Sequence, residues 1–124
     1  MTAYPALRYH DARAAIDWLE HAFGFTAKEV HDGPEGTIVH AVLVAGDGVV
    51  MLSTEPPGGD PRWGDRAGRA WVYVVIADPD ALHDRAVAAG AEIVMGLTDT
   101  DYGSRDFSAR DPEGNLWSFG TYRP

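Results

Sequence analysis

Cysteine is absent from this 124-residue sequence, and its absence removes several kinds of chemistry. Disulfide bridges, iron–sulfur clusters, zinc sites built on thiolates and cysteine nucleophiles are all excluded. Any catalytic or metal-binding site must therefore use oxygen and imidazole groups. A chain without disulfides is also compatible with a reducing compartment.

Positive charge is scarce as well, since 10 lysines and arginines face 19 aspartates and glutamates, for a net charge of −9. Such a surface repels both the phosphates of nucleic acids and anionic lipid headgroups. No apolar run approaches the roughly 18 residues of a membrane span, and the N-terminal residues lack the apolar stretch of a signal peptide. We therefore predict a cytoplasmic protein with neither nucleic acid nor membrane partners.

The sequence does contain enough apolar material, 45% of its residues, for one hydrophobic core of the size expected at this length. Two segments, Asp11 to Gly24 and Asp78 to Gly90, have the apolar spacing of surface helices. Each begins at an aspartate suited to capping and ends at a glycine suited to a left-handed stop. Runs typical of β-strands, Tyr4 to Tyr9 and Trp71 to Ile76, precede the two helices.

A repeat is visible in these landmarks, because the same 66 residues separate Gly24 from Gly90 and Gly48 from Gly114. This spacing predicts an α+β fold of two tandem β-α-β-β-β modules within one domain, 1–124. Module one covers 3–55, a linker rich in proline and glycine covers 56–69, and module two covers 70–122. We expect the strands to form a curved mixed sheet shaped like a cup, with the helices on its outer face.

The last hairpin predicts which side chains face the cup. A two-residue turn at Pro112-Glu113 would pair Phe107 with Ser118 and place both on the cup side. The opposite parity would face the helices, and it contains Trp117, Phe119, Val42, Val44 and Met51.

Several motifs give the chain a resemblance to a known family. They are the segment from Trp18 to Phe25, the run from Asp78 to Leu82, and the hairpin Arg110-Asp111-Pro112-Glu113-Gly114-Asn115 after Arg105-Asp106-Phe107. With the duplicated module, these motifs resemble the vicinal oxygen chelate superfamily, which contains glyoxalase I, bleomycin-resistance proteins and extradiol dioxygenases. The resemblance covers nearly the whole chain and implies a homodimer.

In the metal-dependent members of that superfamily, each module supplies one ligand from its first strand and one from its last. Carried onto this sequence, the four positions are Tyr4 or Pro5, Leu52, Trp71 and Ser118. A catalytic divalent ion needs about three imidazole or carboxylate ligands, and these residues do not provide them. We therefore predict no metal site and no cofactor.

Aromatic and cationic side chains are predicted to line the cup instead, where rings stack on a planar guest and guanidinium groups orient its carboxylate or phosphate. Trp63 is added because an exposed tryptophan in a polar loop has little structural purpose. The candidate ligand-binding residues are Tyr4, Arg8, Leu52, Trp63, Trp71, Tyr73, Arg105, Phe107 and Ser118.

These features favour a protein that binds a small aromatic or amphipathic molecule without metal or turnover, of the sequestering or resistance type. The alternative is a lyase, isomerase or glyoxalase-like enzyme of the same superfamily. It would use a divalent metal or a metal-free base such as His40 or Tyr102. A third interpretation is an accessory subunit whose fold serves only protein contacts. No catalytic residue is identified from the sequence.

Overall fold

The computed structural model describes residues 1–124, and its helices lie where the apolar spacing predicts them. The Asp11 and Asp78 side chains accept hydrogen bonds from the backbone N–H groups of Ala14 and Ala81, which fixes both helix N-termini. Gly24 ends the first helix in the left-handed conformation, with φ of 71°. The elements are β1 (Ala6–Tyr9), α1 (Ala12–Phe23), β2 (Thr26–Asp32), β3 (Ile38–Ala45), β4 (Gly48–Thr54), β5 (Trp71–Val75), α2 (Pro79–Ala88), β6 (Glu92–Asp99), β7 (Arg105–Arg110) and β8 (Leu116–Gly120).

The eight strands form two four-stranded mixed sheets with the same topology. The first has the order β1-β4-β3-β2 and the second the order β5-β8-β7-β6. In each sheet the strand before the helix is an edge strand that pairs in parallel with the last strand of the unit. The α+β fold predicted from the repeat of the β-α-β-β-β unit is confirmed.

The helices pack on one face of each sheet, so that the two units share one hydrophobic core. α1 contacts all four strands of the first sheet and also packs against α2. At the end of α1 the Phe23 ring lies 4.7 Å from Phe119 of the second sheet, and Phe25 lies 5.3 Å from Trp117. The opposite face of each sheet, called here its open face, points away from this core.

The strand register of the last hairpin differs by one residue from the register predicted. Phe107 pairs with Phe119 rather than with Ser118, and Ala109 pairs with Trp117. The reason is the turn, which has five residues, Asp111 to Asn115, where the sequence predicts two. The Asp111 carboxylate accepts the backbone N–H groups of Glu113 and Asn115, which stabilises the longer turn.

The predicted assignment of faces is therefore correct for part of the chain and wrong for the rest. Trp117 and Phe119 are buried beneath the helices, as predicted. In the first sheet, however, Val42, Val44 and Met51 are only half-buried and lie on the open face. The residues that pack against the helices there are Ala41, Leu43, Val50 and Leu52.

Candidate functional site

The open face of the second sheet carries exposed aromatic side chains over a floor of serines. Trp71 and Tyr73 alternate on the edge strand β5, and Trp71 is 73% exposed. The indole N–H of Trp71 donates to Ser118 Oγ at 2.9 Å, and Ser118 Oγ lies 2.8 Å from Ser108 Oγ. These hydrogen bonds hold the Trp71 ring in one orientation while most of its surface remains open to solvent.

Two further tyrosines extend this surface beyond the end of β8. The Tyr73 hydroxyl donates to the carbonyl oxygen of Tyr122 at 2.8 Å, and the Tyr122 and Tyr102 rings meet edge to face at 5.3 Å. Burial raises the pKa of Tyr73, and the negative charge of Asp106 adds to the rise, so the phenol stays protonated as a donor. We call Trp71, Tyr73, Tyr102 and Tyr122 the aromatic platform.

A second group of predicted site residues lies on the first sheet and the linker. Arg8, on the open face of β1, has its guanidinium carbon 5.8 Å from the centre of the Trp63 ring. Arg62 lies closer to that ring, at 4.1 Å, and its guanidinium pairs with the buried carboxylate of Asp60 at 2.9 Å. These hydrogen bonds from Arg62 lower the pKa of Asp60 to about 2. The linker is thus folded around Trp63 by cation–π and ionic contacts.

Tyr4 lies at neither of these places but lines a cavity of about 490 Å³ between the two sheets. Val50 on β4, Tyr73 on β5 and Arg123 near the C-terminus line the same cavity. Tyr4 therefore adjoins the aromatic platform through Tyr73.

Three predicted site residues do not line an open face. Leu52 and Phe107 belong to the hydrophobic core with almost no exposed surface, because the true register places both on the helix side of their sheets. Arg105 has the same parity as Phe107, and its guanidinium forms ion pairs with Asp80 of α2 at 2.7 Å and Asp99 of β6 at 3.1 Å. The prediction that these three residues face the cup is wrong for this reason.

The structure places Trp71, Tyr73 and Ser118 together, and it adds two residues that sequence reasoning missed. The predicted register, which is one residue off, would place Ser108 on the helix side together with Trp117. Ser108 nevertheless alternates with the apolar Phe107 and Ala109, a pattern that favours the opposite face. Tyr122 follows the last strand, and nothing in its local sequence indicates a contact with Tyr73.

The metal-ligand positions implied by the superfamily hold no donor set. Leu52 is in the core, Trp71 presents an indole ring, and Ser118 is hydrogen-bonded to that indole and to Ser108. No three histidine, aspartate or glutamate side chains of the chain come together in an arrangement suited to a metal ion. These residues do not fit a catalytic divalent ion.

His40 and Tyr102, the possible bases of a metal-free enzyme, lie in different parts of the structure. The His40 ring stacks on His31 at 6.0 Å on the first sheet, whereas Tyr102 belongs to the aromatic platform of the second. Neither side chain makes a hydrogen bond to a carboxylate that would orient it as a base. The structure also contains no helix long and apolar enough to cross a membrane.

Comparison with known proteins places these features in a family. The sequence profile of the Glyoxalase/Bleomycin resistance protein/Dioxygenase superfamily matches residues 2–119. Protein Rv0887c of Mycobacterium tuberculosis, whose function is uncharacterized, is 34% identical over 94% of this chain and 74% of its own length. Protein Mb0911c of Mycobacterium bovis, also uncharacterized, is 34% identical over 94% of this chain and 82% of its own length.

Solved structures agree with this assignment. The crystal structure of TioX from Micromonospora sp. ML1 has a TM-score of 0.80 and 36% identity, covering 100% of this chain and 98% of that one. The bleomycin-binding protein of Streptomyces verticillus, solved with copper(II)-bleomycin, has a TM-score of 0.68 and 20% identity, covering 99% and 97%. That second likeness concerns the fold. The chain belongs to the glyoxalase/bleomycin resistance protein/dioxygenase superfamily.

Proposed function

We propose that this protein binds a small planar aromatic molecule on the aromatic platform and holds it without chemical turnover. The single observation that carries the proposal is Trp71, a large ring that is 73% exposed and yet fixed in orientation by Ser118. An exposed ring held in place by a hydrogen bond is ready for stacking, because little conformational entropy remains to be lost on binding.

The chemistry around Trp71 supports an aromatic guest with polar substituents. The indole and phenol rings supply stacking surfaces, and the Ser108 and Ser118 hydroxyls supply donors and acceptors at the edge of those rings. Binding of this type needs no metal ion, in keeping with the side chains at the four superfamily positions.

One solved protein of the same fold is compatible with this class of function. A member of the fold is a bleomycin-binding protein, solved with copper(II)-bleomycin. By analogy with that protein, we propose a sequestering or resistance role. We also propose a cytoplasmic location, with which a chain that has no cysteine is compatible.

We also propose that the protein acts as a homodimer. In one chain, Arg8 and Trp63 lie on the first sheet and the linker, whereas the aromatic platform belongs to the second sheet. In the arrangement that we propose, the open face of the first sheet of one chain lies opposite the open face of the second sheet of its partner. The guanidinium group and the stacking rings would then line one site.

The binding proposal is tested by isothermal titration calorimetry with two probes, 2-naphthoate and copper(II)-bleomycin. We expect saturable binding of at least one probe by the unaltered protein and a rise in Kd of about tenfold for Trp71→Ala, since the stacking contact is lost. Trp71→Phe keeps a stacking ring and should restore most of the affinity. Val87→Ala, which removes an exposed apolar side chain from α2, is the matched control.

Two outcomes contradict the proposal. One is that neither probe binds, and the other is that Trp71→Ala binds as tightly as the unaltered protein. Chromatography of the probe after long incubation provides a separate check, because recovery of a chemically altered probe would favour the enzymatic alternative over sequestration.

A further inference from the structure

Glu55 is a buried acidic residue without a partner. It directly follows β4, and its backbone N–H donates to the carbonyl oxygen of Tyr9 at 2.8 Å, which fixes its main chain beside β1. The residue is only 4% exposed, and neither carboxylate oxygen accepts a hydrogen bond. No arginine, lysine or histidine nitrogen lies within ion-pair distance of it.

The other three buried carboxylates of the chain are all satisfied. Asp60 pairs with Arg62, Asp106 accepts the Ser104 hydroxyl, and Asp111 accepts the Tyr9 hydroxyl at 2.6 Å. Burial of a charged group is strongly unfavourable unless donors replace the water it loses. Among the buried carboxylates of the chain Glu55 alone has no donor, and we infer that its donor comes from outside the chain.

A pocket of about 250 Å³ lies beside Glu55 at the end of the first sheet. Its wall includes Arg8 from β1, Thr37, Ser53 from β4, Glu55 and Pro56. The Arg8 guanidinium makes one long hydrogen bond, 3.4 Å to the carbonyl oxygen of Thr54, and has no ion pair. The pocket is therefore lined by a cationic residue and an acidic residue that do not pair with each other, and in this conformation the Glu55 carboxylate oxygens are covered rather than exposed to its open space.

We propose that this pocket binds a small zwitterion, with the ligand's ammonium group at Glu55 and its carboxylate at Arg8. The two charges are complementary to such a molecule, and the Thr37 and Ser53 hydroxyls provide further polar contacts. The volume is below the range typical of drug-sized ligands and suits a molecule of amino-acid size. Three rotatable bonds let the Glu55 carboxylate turn from the pocket wall to the ligand.

Glu55 takes no part in the proposed aromatic site and Trp71 does not line this pocket, so variants of these two residues test the two proposals independently even though the proposed homodimer would bring Arg8 to both. Trp71→Ala should leave zwitterion binding unchanged, and Glu55→Gln should leave Trp71-dependent binding of 2-naphthoate unchanged. A failure of one titration therefore does not decide the other.

The test uses amide chemical shifts in a titration of the full chain with L-leucine and two truncated analogues. 3-Methylbutylamine lacks the carboxylate of leucine, and 4-methylpentanoate lacks its ammonium group. We expect leucine to shift the amides of Arg8, Ser53 and Glu55, and we expect each analogue to bind at least about tenfold more weakly.

Substitutions assign the two ends of the ligand. Glu55→Gln should weaken the binding of leucine and of 3-methylbutylamine but not that of 4-methylpentanoate. Arg8→Met should weaken the binding of 4-methylpentanoate but not that of 3-methylbutylamine. Glu29→Gln, which neutralises an exposed glutamate of β2, is the matched control. In the absence of ligand, Glu55→Gln should also raise Tm, because a neutral amide is less costly to bury than an unpaired carboxylate.

Several results would overturn the proposal. One is that no amide shifts at leucine concentrations up to about 50 mM, because a specific small-molecule site should bind leucine with a Kd in the millimolar range or below. Another is that Glu55→Gln binds leucine as tightly as the unaltered protein. A fall in Tm for Glu55→Gln would indicate a role in the fold instead. Shifts of the same amides by Zn²⁺ or Mg²⁺ but not by leucine would assign the carboxylate to a metal ion.

Discussion

Asp111 connects the two halves of the molecule through side chains that are distant in sequence. Its carboxylate accepts the hydroxyl of Tyr9 at 2.6 Å and the indole N–H of Trp117 at 3.1 Å, and all three residues are buried. Asp111 lies in the hairpin motif that the sequence shows, and the structure places it in the turn. Its contact with Tyr9 was not predictable, because nothing local indicates that β1 of the first unit meets the last hairpin of the second.

The first prediction at this scale concerns Tyr9→Phe. The substitution removes one of the hydrogen bonds to a buried charge, and we expect the free energy of unfolding to fall by about 1.5–3 kcal/mol. Urea denaturation measures the change. Tyr4→Phe, in which the altered tyrosine is exposed and makes no hydrogen bond, should have almost no effect.

The same tyrosine gives the protein a dependence on alkaline pH. Burial raises the pKa of Tyr9, and the charge of Asp111 raises it further, so the folded state keeps a proton that the unfolded state loses above its ordinary pKa of 10.0. Stability from this group is therefore complete below about pH 10 and declines above it. Tyr9→Phe should lack this part of the alkaline decline, and an unchanged profile would contradict the explanation.

At the scale of elements, the helices were predictable and the hairpins only partly so. Capping aspartates, apolar spacing and terminal glycines are local signals, and both helices lie where those signals place them. The turn between β7 and β8 has five residues, whereas the turn between β3 and β4 is a two-residue connection at Gly46-Asp47. The equal spacing of the hairpin glycines conceals this difference in turn length. Because the predicted register is off by one residue, the prediction assigns Phe107 and Leu52 to the wrong face of their sheets.

An arginine from α2 completes the C-terminus of α1. The Arg85 guanidinium donates to two carbonyl oxygens in the last turn of α1, those of His21 at 2.9 Å and Glu20 at 3.1 Å. The Glu20 oxygen also accepts the backbone N–H of Gly24. Arg85 brings a positive charge to the negative end of the helix dipole and joins the two helices.

We accordingly expect Arg85→Met to destabilise the protein by about 1 kcal/mol, a modest figure because the side chain is exposed. Hydrogen exchange at the Gly24 and Phe25 amides, which close the end of α1, should become faster. Arg66→Met, at an exposed arginine without hydrogen bonds or ion pairs, is the control. If the two variants exchanged at equal rates, the capping role of Arg85 would be wrong.

At the scale of the whole molecule, the proposed homodimer makes a direct prediction. Light scattering should give twice the 13.4 kDa mass of the chain. If Trp63 lies near the partner chain, Trp63→Glu should shift the mass toward that of one chain, because a carboxylate replaces an exposed apolar ring at a contact surface. Asp101→Asn, which alters an exposed loop residue, should leave the dimer intact. A single-chain mass for the unaltered protein would remove this part of the proposal.

How much of the site the sequence could predict also depends on scale. The duplicated fold follows from local patterns repeated at one spacing, and Trp71, Tyr73 and Ser118 follow from strand alternation within it. The contacts of Tyr122 and the lack of a partner for Glu55 depend on how segments distant in sequence pack together. The alternation of side chains along a strand does not contain this information.

The division between a shared core and two outward sheet faces has an evolutionary consequence. Side chains such as Trp71 and Arg8 contribute little to the interior, whereas Trp117 and Phe119 are wholly enclosed within it. Mutations at the outward positions therefore change the stability of the fold little, but they directly change which molecules the protein can bind. A lineage with this architecture can acquire new guests by exchanging a few surface rings and charges, while its scaffold stays the same.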